Sequence, residues 1–148
     1  MINKFPFSYC ILQYKHNTWS EERINVGILI FSHSENLMKF KYVERSKVLY
    51  NIYSKSMRKN FSEDIHRLSI LLDNFYKKNI FCRDLFQKID FNVKNINLAH
   101  EIAQSAAPDF DSSYVWTPGG TGICSSLEAR LEYLFSSYIS VSDDTPSQ

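Results

Sequence analysis

The first third of the chain consists of largely apolar runs that read as strands, separated by short polar segments. Phe7, Tyr9, Ile11 and Gln13 interleave with Ser8, Cys10, Leu12 and Tyr14. Both sets are largely apolar, which predicts a strand in the interior of a sheet. The polar run KHNTWSE, residues 15–21, has the composition of a connection and carries Trp19. A second strand follows, in which Ile24, Val26, Ile28 and Ile30 face one way and Asn25, Gly27, Leu29 and Phe31 the other. SHSEN, residues 32–36, supplies hairpin-loop residues. Leu37, Lys39, Lys41 and Val43 then alternate with Met38, Phe40, Tyr42 and Glu44, giving a third strand and an antiparallel meander.

The period then changes to that of a helix. Val48, Leu49, Ile52 and Tyr53 stand at helical spacing inside residues 45–60, which predicts a short basic helix. Ser62 is placed to cap a second helix, with Ile65, Leu68, Leu72, Phe75 and Tyr76 along one face and Lys77 and Lys78 at its negative end. Residues 82–89 predict a further short helix, and Asn97 caps another that stops before Pro108. Tyr114 to Trp116 suit a late short strand, followed by a turn at Pro118, Gly119, Gly120 and Gly122. Ser125 and Glu128 form a capping box for a last amphipathic helix carrying Leu127, Leu131, Leu134, Phe135 and Tyr138. The expected fold is α+β: an antiparallel meander of three to four strands with helices packed on one face. Residues 1–139 form one domain, and the polar stretch 140–148 is expected to be a disordered tail.

Composition sharpens this picture in two places. At 148 residues, 44% hydrophobic and 15% aromatic, the chain has enough apolar surface for one ring-rich core and too little length for two. A formal charge of +1 gives no global field toward nucleic acid, so any basic site must be local. Cys10, Cys82 and Cys124 are widely spaced with no CxxC, and no His pair has metal-ligand spacing, so neither metal nor cofactor is expected. No run approaches the about 18 apolar residues of a membrane span, and the N-terminus lacks a leader pattern. The expected setting is a reducing cytoplasm.

Candidate chemistry is sparse. Asn25, set among β-branched residues, requires a partner for its amide, either within the fold or on a ligand. Glu22 sits beside Glu21, but neighbouring residues of a strand point to opposite faces, which favours a solvated charge over a paired acid and base. PGGTG resembles a phosphate loop only in its glycines, because Ile123 stands where a Lys is needed. Cys124 at a helix start is a nucleophile only if its pKa is depressed. Lys39, Lys41, Arg45, Lys47, Lys55, Arg58 and Lys59, interleaved with Tyr42, Tyr50 and Tyr53, form the strongest local charge feature. Such a segment serves an edge strand that resists aggregation, an acidic protein partner, or a single-stranded nucleic acid.

The strand from Tyr9 to Tyr14, the polar segment, and Glu22, Asn25, Val26 and Gly27 opening an apolar strand resemble the N-terminal signature of an uncharacterised bacterial family labelled domain of unknown function 3037. The closing strand, turn and Leu-rich helix, residues 113–139, resemble its C-terminal part. Glu22, Asn25 and Gly27 carry over, and Arg23 departs from the apolar residue of the pattern. The family is similar in setting to small proteins encoded beside kinases resembling the HipA type, which implies a protein partner. The expected function is therefore a non-catalytic partner-binding or regulatory module in a bacterial two-gene system of defence or toxin–antitoxin kind. Its expected contact residues are Trp19, Asn25, Lys39, Lys41 and Arg45. The alternatives are a small nuclease or phosphate-handling enzyme using Glu22, Asn25 and Arg45, and a binder of single-stranded nucleic acid.

Overall fold

The computed structural model describes residues 3–15, 23–43, 55–79, 97–107, 110 and 113–139. Three strands follow one another as the alternation predicts: β1 (Phe5–Tyr14), β2 (Ile24–Ser32) and β3 (Leu37–Tyr42). Two helices come next, α1 (Lys55–Asn79) and α2 (Leu98–Ala106), then β4 (Tyr114–Cys124) and α3 (Leu127–Tyr138). The four strands form one antiparallel sheet in the order β3-β2-β1-β4. The protein is thus α+β, with β1 in the interior and β4 added beside it.

Helices cover both faces, which corrects the expectation of a single covered face. On one side Cys10, Leu12, Leu29 and Phe31 pack against Phe61, Ile65, Leu68 and Leu72 of α1 and Ala99, Ile102 and Ala103 of α2. On the other, Phe7, Ile11, Ile28 and Ile30 pack against Leu127, Leu131, Leu134 and Phe135 of α3. The physical reason lies in β1 and β2, whose two faces are both apolar and must both leave water. Ile28, Leu29 and Ile30 are fully buried, and burying each such side chain is worth about 1.5–3 kcal/mol.

A bulge changes which residues of β2 share a face. Leu12 pairs with Gly27 and Gln13 with Asn25, so Val26 is an extra residue in the ladder. Beyond it the parity inverts. Ile24 and Val26 therefore join Leu29 and Phe31 on the α1 and α2 side, while Asn25 lies with Gln13 on the α3 side. The uninterrupted alternation expected for Ile24, Val26, Ile28 and Ile30 fails at this point. Gly27 stands next to the bulge, and a Cβ there would lie 2.9 Å from Phe40 Cε1 and 3.3 Å from the Lys41 carbonyl oxygen.

Three other boundaries differ from expectation. Pro118 to Gly122 is not a turn but the middle of the long strand β4. Helix α1 spans Lys55–Asn79, so Ser62 lies inside it rather than capping it. Residues 55–60 of the short helix expected over 45–60 belong to α1, and residues 45–54 lie outside the described residues. Phe61, four residues before Ile65, lengthens the buried stripe. The N-cap of α3 is Ser126, whose Oγ accepts from the Ala129 N–H at 3.1 Å, not Ser125. The cap of α2 is Asn97 as expected, its Oδ1 accepting from His100 N–H at 3.0 Å. In the β2–β3 turn Asn36 takes a positive φ of 53°, a conformation that Asn tolerates, and Tyr76 of α1 donates to its carbonyl. The helix expected at 82–89 and the tail at 140–148 lie outside the described residues.

Candidate functional site

The side chains of β1, β2 and β4 that turn toward the end of α3 build one polar chain across three strands. Thr117 Oγ1 donates to Gln13 Oε1 at 2.9 Å, and Gln13 Nε2 donates to Asn25 Oδ1 at 2.9 Å. Asn25 Nδ2 then donates to the Tyr138 carbonyl at 2.9 Å. Arg23 Nη1 reaches Gln13 Oε1 at 3.5 Å. The amide of Asn25 thus has its partner within the fold. It secures the last turn of α3, where carbonyls lack helical donors.

Beside this chain an aromatic row lies over glycines. Tyr9 pairs with Gly120 and Phe7 with Gly122, while Gly119 is an extra residue between the Cys10–Pro118 and Tyr9–Gly120 pairs. A Cβ on Gly119 would meet Tyr9 Cε2 at 2.2 Å, and one on Gly122 would meet Phe7 Cε1 at 2.9 Å. The rings stand 6.3 Å apart, and the Tyr9 hydroxyl bonds the Tyr138 hydroxyl at 2.7 Å. Burial, then the hydrogen bond and the charge interaction with Tyr138, push the Tyr9 pKa up to about 12. The glycines read as a turn or phosphate loop are therefore the floor on which two rings lie.

Two recesses flank β4. One of about 310 Å³ opens on the α2 side, lined by Pro6, Ser8, Phe31, Leu98, Thr121 and Ile123 among others. Ser8 Oγ is already committed to the Ala99 N–H at 2.9 Å. The other, about 260 Å³, lies at the start of α3 between Cys124, Ser126, Arg130 and Tyr133. Cys124 is buried, which pushes its thiol up against the opposing pull of Arg130 and the Ser126 backbone. A raised pKa keeps it a thiol at neutral pH, opposite to what a nucleophile needs. Burial also pushes the Cys10 thiol up.

The basic residues expected to bind divide. Lys39 and Lys41 share one face of the edge strand β3, opposite Ile30 and Ile28. Lys41 Nζ is held by Glu132 Oε2 of α3 at 2.6 Å and lies 4.7 Å from the Phe135 ring centre, so it serves the α3 packing. Trp19, Glu22 and Arg45 lie outside the described residues. Among the described residues no three His, Cys, Asp or Glu side chains gather as metal ligands, and no helix is long and apolar enough to cross a membrane.

Sequence reasoning missed Gln13 and Tyr138 as partners of Asn25 and Thr117 as a partner of Gln13, and it missed Thr121 and Ile123 at the edge of the sheet. Their signal was the β-branched alternation Thr121, Ile123 within the Gly-rich run, hidden by Pro118. A family model described as a protein of unknown function, DUF3037, matches residues 9–139. No curated protein and no solved structure matches the chain.

Proposed function

The chain belongs to the DUF3037 family, and we propose that it is a non-catalytic partner-binding or regulatory module. The observation that carries this reading is the character of β4. It is an 11-residue strand at the edge of the sheet without one charged residue, and its Ile123 is 62% exposed. Monomeric proteins blunt such edges with charge, as Lys39 and Lys41 do on β3. An exposed apolar edge without that protection suits a protein contact. The polar groups nearest to it support the same reading, since Gln13, Asn25 and Thr117 spend their hydrogen bonds on one another and on α3.

The finer proposal is that the partner is encoded beside this chain in a bacterial two-gene system of defence or toxin–antitoxin kind and meets it in the cytoplasm. A kinase resembling the HipA type is the candidate to try first. Trp19, Lys39 and Arg45 are kept as proposed contact residues. Co-expression with the neighbouring genes tests the reading. A stable complex that Ile123→Glu disrupts and that Lys39→Glu, at the opposite edge, weakens is the expected result. Two independent elution peaks for the wild-type pair would overturn it.

A further inference from the structure

We propose that the partner adds a strand to the outer edge of β4 at Thr121 and Ile123 and seats one large apolar side chain in the cavity beside them. This deepens the partner-binding reading and rests on it.

The direction of the free backbone groups follows from one hydrogen bond. Lys15 N–H donates to the Ser113 carbonyl at 2.7 Å, so residue 15 of the β1 segment turns toward β4. In an antiparallel ladder bonded and non-bonded pairs alternate, so Gln13, Ile11, Tyr9, Phe7 and Phe5 turn the same way. Their partners Gly120, Gly122 and Cys124 are therefore bonded inward. Thr121 and Ile123, opposite Ser8 and Pro6, direct N–H and C=O to the outer edge. Trp116 is outward by the same alternation, and its carbonyl accepts from His100 Nε2 at 3.2 Å. Pro118 has no N–H, and the extra residue Gly119 bends the strand there. The first half of the edge is thus guarded, while no strand among the described residues pairs with the second.

The same two residues line the cavity of about 310 Å³, together with the apolar side chains of Pro6, Phe31 and Leu98. Directly paired residues of neighbouring strands project to one face. A residue paired with Thr121 or Ile123 therefore projects over the cavity mouth. Backbone pairing supplies affinity, and the apolar cavity selects a large aliphatic or aromatic side chain. A polypeptide is the fitting occupant because only an extended backbone presents donors and acceptors at this spacing. A phosphate backbone would require the Lys and Arg contacts that β4 lacks.

A randomised heptapeptide display library panned against the full chain tests the proposal. Enriched peptides should share one large apolar residue, and its replacement by Ala should weaken binding at least tenfold. The bound peptide should slow hydrogen exchange at the Thr121 and Ile123 amides at least tenfold while leaving Gly120 and Gly122 unchanged. Thr121→Pro removes an outward N–H and leaves the β1–β4 ladder intact, so it should weaken the peptide at least tenfold without altering the circular dichroism spectrum. If that variant does not fold, exchange in the wild-type chain decides alone. Absence of enriched peptides, enrichment without an apolar residue, protection elsewhere, or protection of these amides by an oligothymidylate would each overturn the proposal. A co-encoded partner that binds Thr121→Pro as it binds wild type would overturn it while leaving the partner reading intact. Peptide protection at both amides with no co-encoded partner would do the reverse.

Discussion

Gly119→Ala should destabilise the protein only while Tyr9 is present. A Cβ at position 119 would lie 2.2 Å from Tyr9 Cε2, 2.4 Å from Cδ2 and 2.9 Å from Cζ, so the ring must move. The ring is held by the Tyr138 hydroxyl at 2.7 Å and by its stack on Phe7, so moving it gives up both contacts. Overpacking of this kind costs about 1–3 kcal/mol, and the hydrogen bond a further ~0.5–1.5 kcal/mol. Working against this, no Gly among the described residues has a positive φ. Alanine at a compatible position stabilises by about 0.4–1 kcal/mol through the unfolded chain. The net expectation is a loss of about 1–3 kcal/mol in the wild-type background. In a Tyr9→Ala background the sign should reverse to neutral or slightly stabilising. Urea unfolding at 25 °C followed by circular dichroism, on the four proteins of the cycle, measures the coupling, expected at about 1.5–3 kcal/mol. An equal loss in both backgrounds would show that the glycine is not there for the ring.

Asn25→Leu removes two hydrogen bonds and should cost about 1–3 kcal/mol, with faster amide exchange in the last turn of α3; protection there equal to wild type would refute the role given to Asn25. Lys41→Ala should cost under about 1 kcal/mol, because its Glu132 partner is well exposed, and a Lys41→Ala, Glu132→Ala cycle would reveal a larger coupling if that reasoning fails. Tyr9 is held protonated in the fold, so the unfolded chain loses this proton first as pH rises. Its contribution is present below pH 10 and is lost as pH rises through about 12. Unfolding at stepped alkaline pH should show a decline across that window that Tyr9→Phe flattens. In a Cys82→Ser chain, Cys10 and Cys124 should resist thiol-specific reagents at pH 8 until the protein unfolds; rapid modification in the native state would contradict their burial.

Much of the architecture was legible because the signals are local. One-by-one alternation of apolar residues specifies extended chain wherever it occurs. The stripe Ile65, Leu68, Leu72 specifies a helix face, and Asn97 caps a helix through an atom three residues away. Apolar residues on both faces of β1 also specify an interior strand before any partner is known. The candidate site was less legible. Asn25 stood out as an amide among β-branched residues, yet its partners Gln13 and Tyr138 lie 12 and 113 residues away. Glu22, Trp19 and Arg45 drew notice for their chemistry, and it was Lys41 whose intramolecular partner emerged.

The amino-acid sequence alone thus determined β1 to β3, the bodies of α1, α2 and α3 and the first residues of β4, since propensity, periodicity and capping act within a few residues, but not the second half of β4. Tertiary structure decided the order of the strands, the helix cover on both faces and the meaning of the glycines. A bulge at Val26 or Gly119 is a relation between two strands and changes no local pattern. It nonetheless sets which face Asn25 joins, and it lays the rings of Phe7 and Tyr9 over a floor of glycine. Side-chain facing depends on register, and register is settled only when distant strands pair.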